Sequence, residues 1–466
     1  MATVRTSDLL SKLVTKAQTS LTKADANRSG TISASEVRGL PTSLGQEFAS
    51  YQRQVSSVRV SEFVSAFSSY AQGQLTRADA NRDGLLSSAE LSSISGMLKD
   101  NVLEILGTLQ PTVTPTPITP TPVTPSPVTP APSGTGVFGI SGTIPASRVK
   151  LVPLLTQGLN KPTAMAFDRQ GSLWIVNQGD DSSIIVDNPG TRSQKAQKFR
   201  DDSAHFMNNP MAIAFSRGKD EFATVQDTTN DYNGMHMGNM FMGPTLWSAN
   251  RRTYEGGTNS HIDMLHHSPN SVGIAAGLRP SGTDKREYWV FNGNTGSIDR
   301  YYFNKPHELG GDNHLDGETY RYAAGQLRMV PNVPGHMDID SKGTLFICDT
   351  GNGRIATFDT TKASTAGRVI SAYHDETPLV GAQGPSTQTF ASGLNAPSGL
   401  ILKGGNVIVG EYGTGHIKVF GPDGKLKGDL DTGMGARALT GLCESKNGTI
   451  YALNQRSGQL VEVQIG

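Results

Sequence analysis

Two twelve-residue runs hold the densest hard-oxygen donors in the chain. Residues 25–36 (DANRSGTISASE) offer the side chains of Asp25, Asn27 and Ser29, the main-chain carbonyl of Thr31, a water position beside Ser33, and both carboxylate oxygens of Glu36. Residues 79–90 (DANRDGLLSSAE) repeat the arrangement with Asp79, Asn81, Asp83, the Leu85 carbonyl, Ser87 and Glu90. Oxygens spaced along a turning loop build the six- to eight-coordinate shell that Ca²⁺ takes, and Gly30 and Gly84 supply the sharp bend. Asp83 is a carboxylate where the first run has Ser29, so the second loop is expected to bind more tightly.

The ten histidines suggest a second kind of site. None precedes His205. His236, His261, His266 and His267 fall in a long insertion after Asp227, with Met235, Met237, Met240 and Met242, while His314 and Asp316 lie in a later insertion. Neutral imidazole nitrogen with a carboxylate is the donor set of Zn²⁺ or another first-row transition metal, bound at about 2.0 to 2.1 Å. The candidate ligands are His266, His267, His314, Asp316 and His336. There is no HExxH and no pair at helical spacing, so a second reading stands beside the metal: histidines that only hydrogen-bond loop backbone. The methionines read as loop core rather than copper ligands. Cys348 and Cys443 are the only cysteines, lie in apolar stretches, and are expected as buried free thiols.

The elements that position these donors are of two kinds. Residues 5–108 carry helical periodicity, with Leu9, Leu10, Leu13, Val14, Ala17 and Leu21 on one face and Phe63, Phe67 and Tyr70 on another. Loops of this template between helices resemble the EF-hand, and the resemblance implies a small all-α domain, an EF-hand pair over 1–109, with Ile32 and Leu86 meeting in a short β-bridge. Residues 110–136 are a Thr/Pro-rich run without charge, expected as an extended spacer of up to roughly 70 Å at about 3.1 Å per residue.

From about residue 160 one unit recurs. Its clearest copy, residues 333–358 (VPGHMDIDSKGTLFICDTGNGRIATF), has a proline before an alternating strand, a Lys342-Gly343 turn, an apolar strand, a Gly-rich turn and a third strand. Copies are counted at Asn177-Gln178-Gly179, Asn292-Gly293-Asn294, Asp349-Thr350-Gly351, Glu411-Tyr412-Gly413 and Asn454-Gln455-Arg456, with a sixth unit starting at Asn209-Pro210. Strand units of this kind cannot pair their backbones alone, so they stack as blades. Residues 334–355 resemble the NHL repeat, which implies a six-bladed NHL-type β-propeller over 137–466. The fold class is therefore multidomain: a small all-α EF-hand domain plus an all-β six-bladed propeller. Residues 149–155 are expected to supply the outer edge of the last blade and close the ring.

One slot stands out within this repeat. Two residues after the entrance position five units place Ala164, Ala212, Ser271, Gly399 and Thr440, whereas the fourth places His336. His266 and His267 precede Pro269 and are expected at the same channel mouth. This is similar to the peptidyl-hydroxyglycine amidating lyase propellers, which hold zinc at the mouth with histidines from several blades. His336 follows Pro334-Gly335, one residue displaced from that family's proline-histidine pairing, and the resemblance implies a metal at the mouth.

Two functional classes follow. One is a calcium-binding protein whose EF-hand domain is tethered to a propeller acting as a platform for a protein or small-molecule ligand, with a metal site at the mouth. The other is a lyase or hydrolase in which a mouth metal polarises a carbonyl or brings the pKa of bound water towards about 7. A formal net charge of zero gives no basis for a nucleic-acid or acidic-membrane partner. No stretch is long enough to span a bilayer. The N-terminus has no apolar run of signal-peptide length, which points by default to the cytoplasm, while the Thr-Pro tether and calcium loops suit an extracellular setting.

Overall fold

The computed structural model describes residues 4–25, 27, 29, 31–32, 58–59, 71, 75, 78, 85–86, 141–200, 207–229, 242–255, 261–278, 286–309, 311, 313–371 and 377–466. The chain divides into two compact units, one built on the residues up to Thr121 and the other on most of the remainder. The spacer expected at 110–136, and the boundaries at either end of it, lie outside the described residues. No helix among the described residues is long and apolar enough to cross a membrane.

In the first unit the helix Thr6–Ala24 buries Leu9, Leu13, Ala17, Leu21 and Ala24, a stripe at spacings of three and four. Leu10 and Val14, expected on the same face, are only half-buried. Ala71, Leu75, Ala78 and Leu86 are buried as well. The two-residue strand in each calcium loop does not pair with its counterpart. Thr31–Ile32 pairs with Val58–Arg59, and Leu85–Leu86 pairs with Val4–Arg5. The reason lies in a repeat of 54 residues: Val4 and Arg5 recur as Val58 and Arg59, Leu21 as Leu75, Asp25 as Asp79, and Thr31 is matched by Leu85. Each loop strand therefore pairs with the residues that open the other repeat, and the expected bridge between Ile32 and Leu86 is replaced by two separate ones.

The second unit is a six-bladed β-propeller. Its innermost strands are Pro162–Phe167, Pro210–Phe215, Ser271–Ala276, Met337–Ile339, Pro397–Lys403 and Leu439–Glu444, each opening an antiparallel sheet. The insertion after Asp227 contains the outer half of the second blade: Thr245–Ser248 and His261–Met264 are its third and fourth strands, joined across the short helix Arg251–Tyr254. Residues between the third and fourth strands of the fourth blade fold back onto the third, where Leu379–Ala382 pairs parallel with Glu318–Tyr322 and Gly367–Ser371 completes the sheet.

The ring closes as expected. Val149–Leu155 pairs antiparallel with Gln459–Ile465, so the sixth blade is made from both ends of the unit. Gly466 is fastened to Arg148, whose Nη2 donates to its carbonyl at 2.9 Å and whose carbonyl accepts its N–H at 2.9 Å. Gly142–Ile144 adds a parallel strand to the fifth blade beside Leu426–Asp431. Around the axis, hydroxyl and amide groups stitch blade to blade: Thr163 Oγ1 to Pro210 O (2.8 Å), Ser398 Oγ to Leu439 O (2.9 Å), Thr440 Oγ1 to Pro162 O (2.9 Å), Gly335 N to Val272 O (2.8 Å) and His336 N to Ser398 O (3.2 Å).

Strand register refines the slot that holds His336. A bulge near the start of five inner strands pairs Ala164 with Val176, Ala212 with Val225, Gly273 with Phe291, Gly399 with Gly410, and Gly441 with Leu453. The carbonyl of His336 accepts from Cys348 N at 2.9 Å in the same position. The third and sixth blades thus contribute Gly273 and Gly441 rather than Ser271 and Thr440, because their bulges fall two residues and one residue later, respectively, than the entrance count places them. A side chain at Gly273 would overlap the carbonyl oxygen of Gly335.

Closure has an energetic signature. Leu155 lies on the closing strand, 3 % exposed and packed in the cluster of Met165, Ile184, Leu453 and Leu460, whereas Leu426 is 53 % exposed. Leu155→Ala is expected to cost about 2–5 kcal/mol and Leu426→Ala under about 0.5 kcal/mol. Denaturant unfolding of the two variants measures both; equal losses would show that the closing strand adds nothing.

Candidate calcium loops, axial cavity and histidine cluster

Three side-chain donors of the first calcium loop lie among the described residues and are tied together by hydrogen bonds. Ser29 N donates to Asp25 Oδ1 and to Asn27 Oδ1, each at 2.9 Å, and Ser29 Oγ reaches Asp25 Oδ1 at 3.4 Å. The Asp25 and Asn27 oxygens are thus drawn together at the Ser29 amide, the tight turn that a loop of this template makes. Thr31 and Leu85, the two carbonyl donors, sit in the short strands described above. Glu36, Asp79, Asn81, Asp83 and Glu90 lie outside the described residues.

The five residues expected around one metal at the channel mouth separate into three places. Where the mouth metal was expected, near the starts of the inner strands, Gln178 Nε2 donates to Asn332 Oδ1 (2.9 Å), Asn332 N to Asp227 Oδ2 (2.9 Å), and Asn270 Nδ2 to Asp227 Oδ1 (3.2 Å). Loops of four blades meet in this amide and carboxylate network, which contains no imidazole.

His336 belongs to the axial cavity, a space of about 390 Å³ lined by the inner strands, including Ala164, Ala212, Ile274 and Leu442. Its ring faces the main chain at Thr163 and Met211, and Nε2 is shut off from solvent with no hydrogen-bond partner among the described residues. Burial pushes the imidazole down to about 4, against the pull of the Thr163 and Met211 main chain, so the ring is neutral at physiological pH. Arg217, Asp338 and Glu444 bring charge to the same cavity; Arg217 Nη2 lies 3.5 Å from Asp338 Oδ1, and Glu444 pairs with Lys403. Cys443 also lines it, and burial pushes its thiol up to about 12, as it raises that of the buried Cys348. Both thiols are free.

His267 is structural. It adopts φ 81°, Nε2 donates to Thr377 O at 2.7 Å, and its carbonyl accepts from Asn292 Nδ2 (3.0 Å) and Arg321 Nη2 (2.5 Å). Beneath it Asp299 is fully buried and paired with Arg321 at 2.7 Å, with further bonds from Ser268 Oγ, Asn292 Nδ2 and Ser297 Oγ. Burial alone would raise the Asp299 carboxyl, but Arg321 and these donors hold it below the ordinary carboxylate range. A satisfied buried ion pair of this kind sets local geometry, and removing one partner strands the other charge.

His266 and His314 do come together, with His266 Nε2 and His314 Nδ1 at 2.9 Å. They are joined by two histidines outside the candidate set. His261 stacks edge-on to His307 with ring centroids 5.2 Å apart, and His307 lies 5.5 Å from His314. His261 comes from the fourth strand of the second blade; His307 and His314 come from the loop between the third and fourth strands of the third. Asp263 is buried nearby on the first of these elements, its carboxyl pushed up to about 8 by burial, with the charge of Asp316 adding to the shift. The signal for His261 was its place in a four-residue β segment, HIDM, hidden by reading the stretch after Asp227 as one long insertion.

The EF hand family matches residues 18–40, which contain the first calcium loop. No curated protein sequence matches the chain. Among solved structures it is similar to regucalcin, a calcium-binding protein from Agrobacterium tumefaciens, at 12 % identity, covering 70 % of this chain and 96 % of that one with a TM-score of 0.44. Virginiamycin B lyase from Staphylococcus aureus is similar at 13 % identity, covering 68 % and 99 % with a TM-score of 0.39. An auxiliary nutrient binding protein from Bacteroides thetaiotaomicron is similar at 13 % identity, covering 70 % and 75 % with a TM-score of 0.44. None of these likenesses carries a role over to residues of this chain.

The neutrality of His336 has a measurable sign. A histidine whose folded pKa lies below its unfolded value of 6.5 contributes fully above that value and loses its contribution as pH falls towards 4. His336→Ala, which places in the slot the residue already used by two blades, is expected to cost about 1–3 kcal/mol at pH 7.5 through lost polar contacts. That cost shrinks between pH 6.5 and 4. Unfolding of wild type and variant at several pH values checks it; a pH-independent difference would mean that the ring is not held neutral.

Proposed function

We propose that this is a calcium-binding protein in which an EF-hand unit is joined to a propeller that binds a small ligand in its axial cavity. The observation that carries the calcium half is the turn in which the Asp25 and Asn27 oxygens both accept from Ser29 N, within the segment that matches the EF hand. The ligand half is supported by the cavity itself, apolar along Ala164, Ala212, Ile274 and Leu442 and charged at Arg217, Asp338 and Glu444. Such a lining suits a compact molecule with an apolar body and a polar end. The reading as a metal-dependent lyase or hydrolase needs His336 to share an ion with His266, His267 or His314; the contacts of His336 and His267 point elsewhere.

Because each calcium loop pairs with the opening strand of the other repeat, occupancy of one need not reshape the other through a shared bridge. Calorimetric titration of the whole chain with Ca²⁺ is expected to find two sites, the tighter removed by Glu90→Gln and the weaker by Glu36→Gln. Each variant is expected to leave the remaining site within about a factor of two. No heat in the wild type would remove the calcium reading, and a tenfold loss at the second site on mutation of the first would remove the independence. For the cavity, native mass spectrometry of untagged protein is expected to detect a retained small molecule that Ala212→Phe expels; retention by the filled variant would place the ligand elsewhere.

A further inference from the structure

We propose that His261, His307 and His314 bind a divalent first-row transition ion of the zinc type, at a site that clasps the outer strand of the second blade to the 304–317 loop of the third. Each ring offers one nitrogen, and the three nitrogens lie within 4.8 Å of one another. Nitrogens around tetrahedral zinc stand about 3.3 Å apart, given Zn–N bonds of about 2.0 Å, so inward rotation of the rings by about an ångström completes the shell. His261 and His314 are buried and His307 is half-buried.

The hydrogen bonds around the cluster prepare it for a cation. His307 Nδ1 lies 2.6 Å from Glu308 O, a carbonyl that can only accept; the ring proton is therefore on Nδ1 and the lone pair on Nε2. That Nε2 is shut off from solvent and has no hydrogen-bond partner among the described residues. His314 Nδ1 meets His266 Nε2 at 2.9 Å, so His266 stands behind His314 and orients its ring, as outer partners of metal-bound imidazoles do. Three imidazoles leave one corner of the tetrahedron to water. Ca²⁺ and Mg²⁺ require oxygen shells, so this site and the two calcium loops select different ions.

The test uses the whole chain, purified without a tag, stripped with a chelator and dialysed against Zn²⁺ in excess Ca²⁺, which saturates the oxygen loops. Elemental analysis after removal of unbound metal is expected to find one zinc per chain, and Co²⁺ loading is expected to give the visible bands of a four-coordinate site. His307→Gln and His314→Gln should each abolish retention, while His416→Gln, a histidine bonded to Asp429 in the fifth blade, should keep it. Circular dichroism and melting without metal establish that each variant is folded. His307→Gln is the decisive variant, because its residue is the most exposed of the three. Zinc absent from the wild type, or retained in folded His307→Gln and His314→Gln, overturns the proposal.

Discussion

The pairing of Val149–Leu155 with Gln459–Ile465 is the constraint on which the propeller rests. Without it the sixth sheet has three strands and a bare edge. The polar contacts at the axis depend on the same closure: Thr440 Oγ1 can reach Pro162 O only if the sixth blade has returned to the first. Closing so long a loop adds little entropy beyond a loop half its length, but it delays the contact until the intervening blades have formed. The fastening of Gly466 to Arg148 stands where such a late joint needs it.

Closure also decides what the axis can hold. Six inner strands converge, so a slot that each repeats must be small: Ala164, Ala212, Gly273, Gly399 and Gly441. One larger ring fits because the other five are no bigger than alanine, and His336 takes that space with Nε2 cut off from solvent. The slot therefore yields one neutral imidazole and leaves no neighbouring position for a second.

Much of this was legible in the residues. The blade repeat, the closing strand and the anomaly of His336 follow from patterns that burial imposes on sequence, since a strand near the axis and a strand at an edge accept different residues. Positions that depend on backbone irregularity were not legible. The bulges that bring Gly273 and Gly441 into the slot shift register by one residue without altering composition. The partner exchange in the first unit was concealed differently, because Val4-Arg5 and Val58-Arg59 carry no metal donors and draw attention only when the repeats are aligned.

The histidine cluster shows why donor lists made from sequence proximity fail. His266 and His267 are neighbours, yet opposite sides of one bend send His266 to His314 and His267 to the carbonyl of Thr377. The positive φ of His267 makes that separation, and Asp299 with Arg321 holds the bend in place beneath it. Conversely His261 and His307 are far apart in sequence and meet because an outer strand of one blade faces a loop of the next. Outer strands and their loops escape the crowding that keeps side chains small at the axis. In this propeller the crowded axis admits a single imidazole, and the imidazoles gather at the rim, where adjoining blades have room to place several.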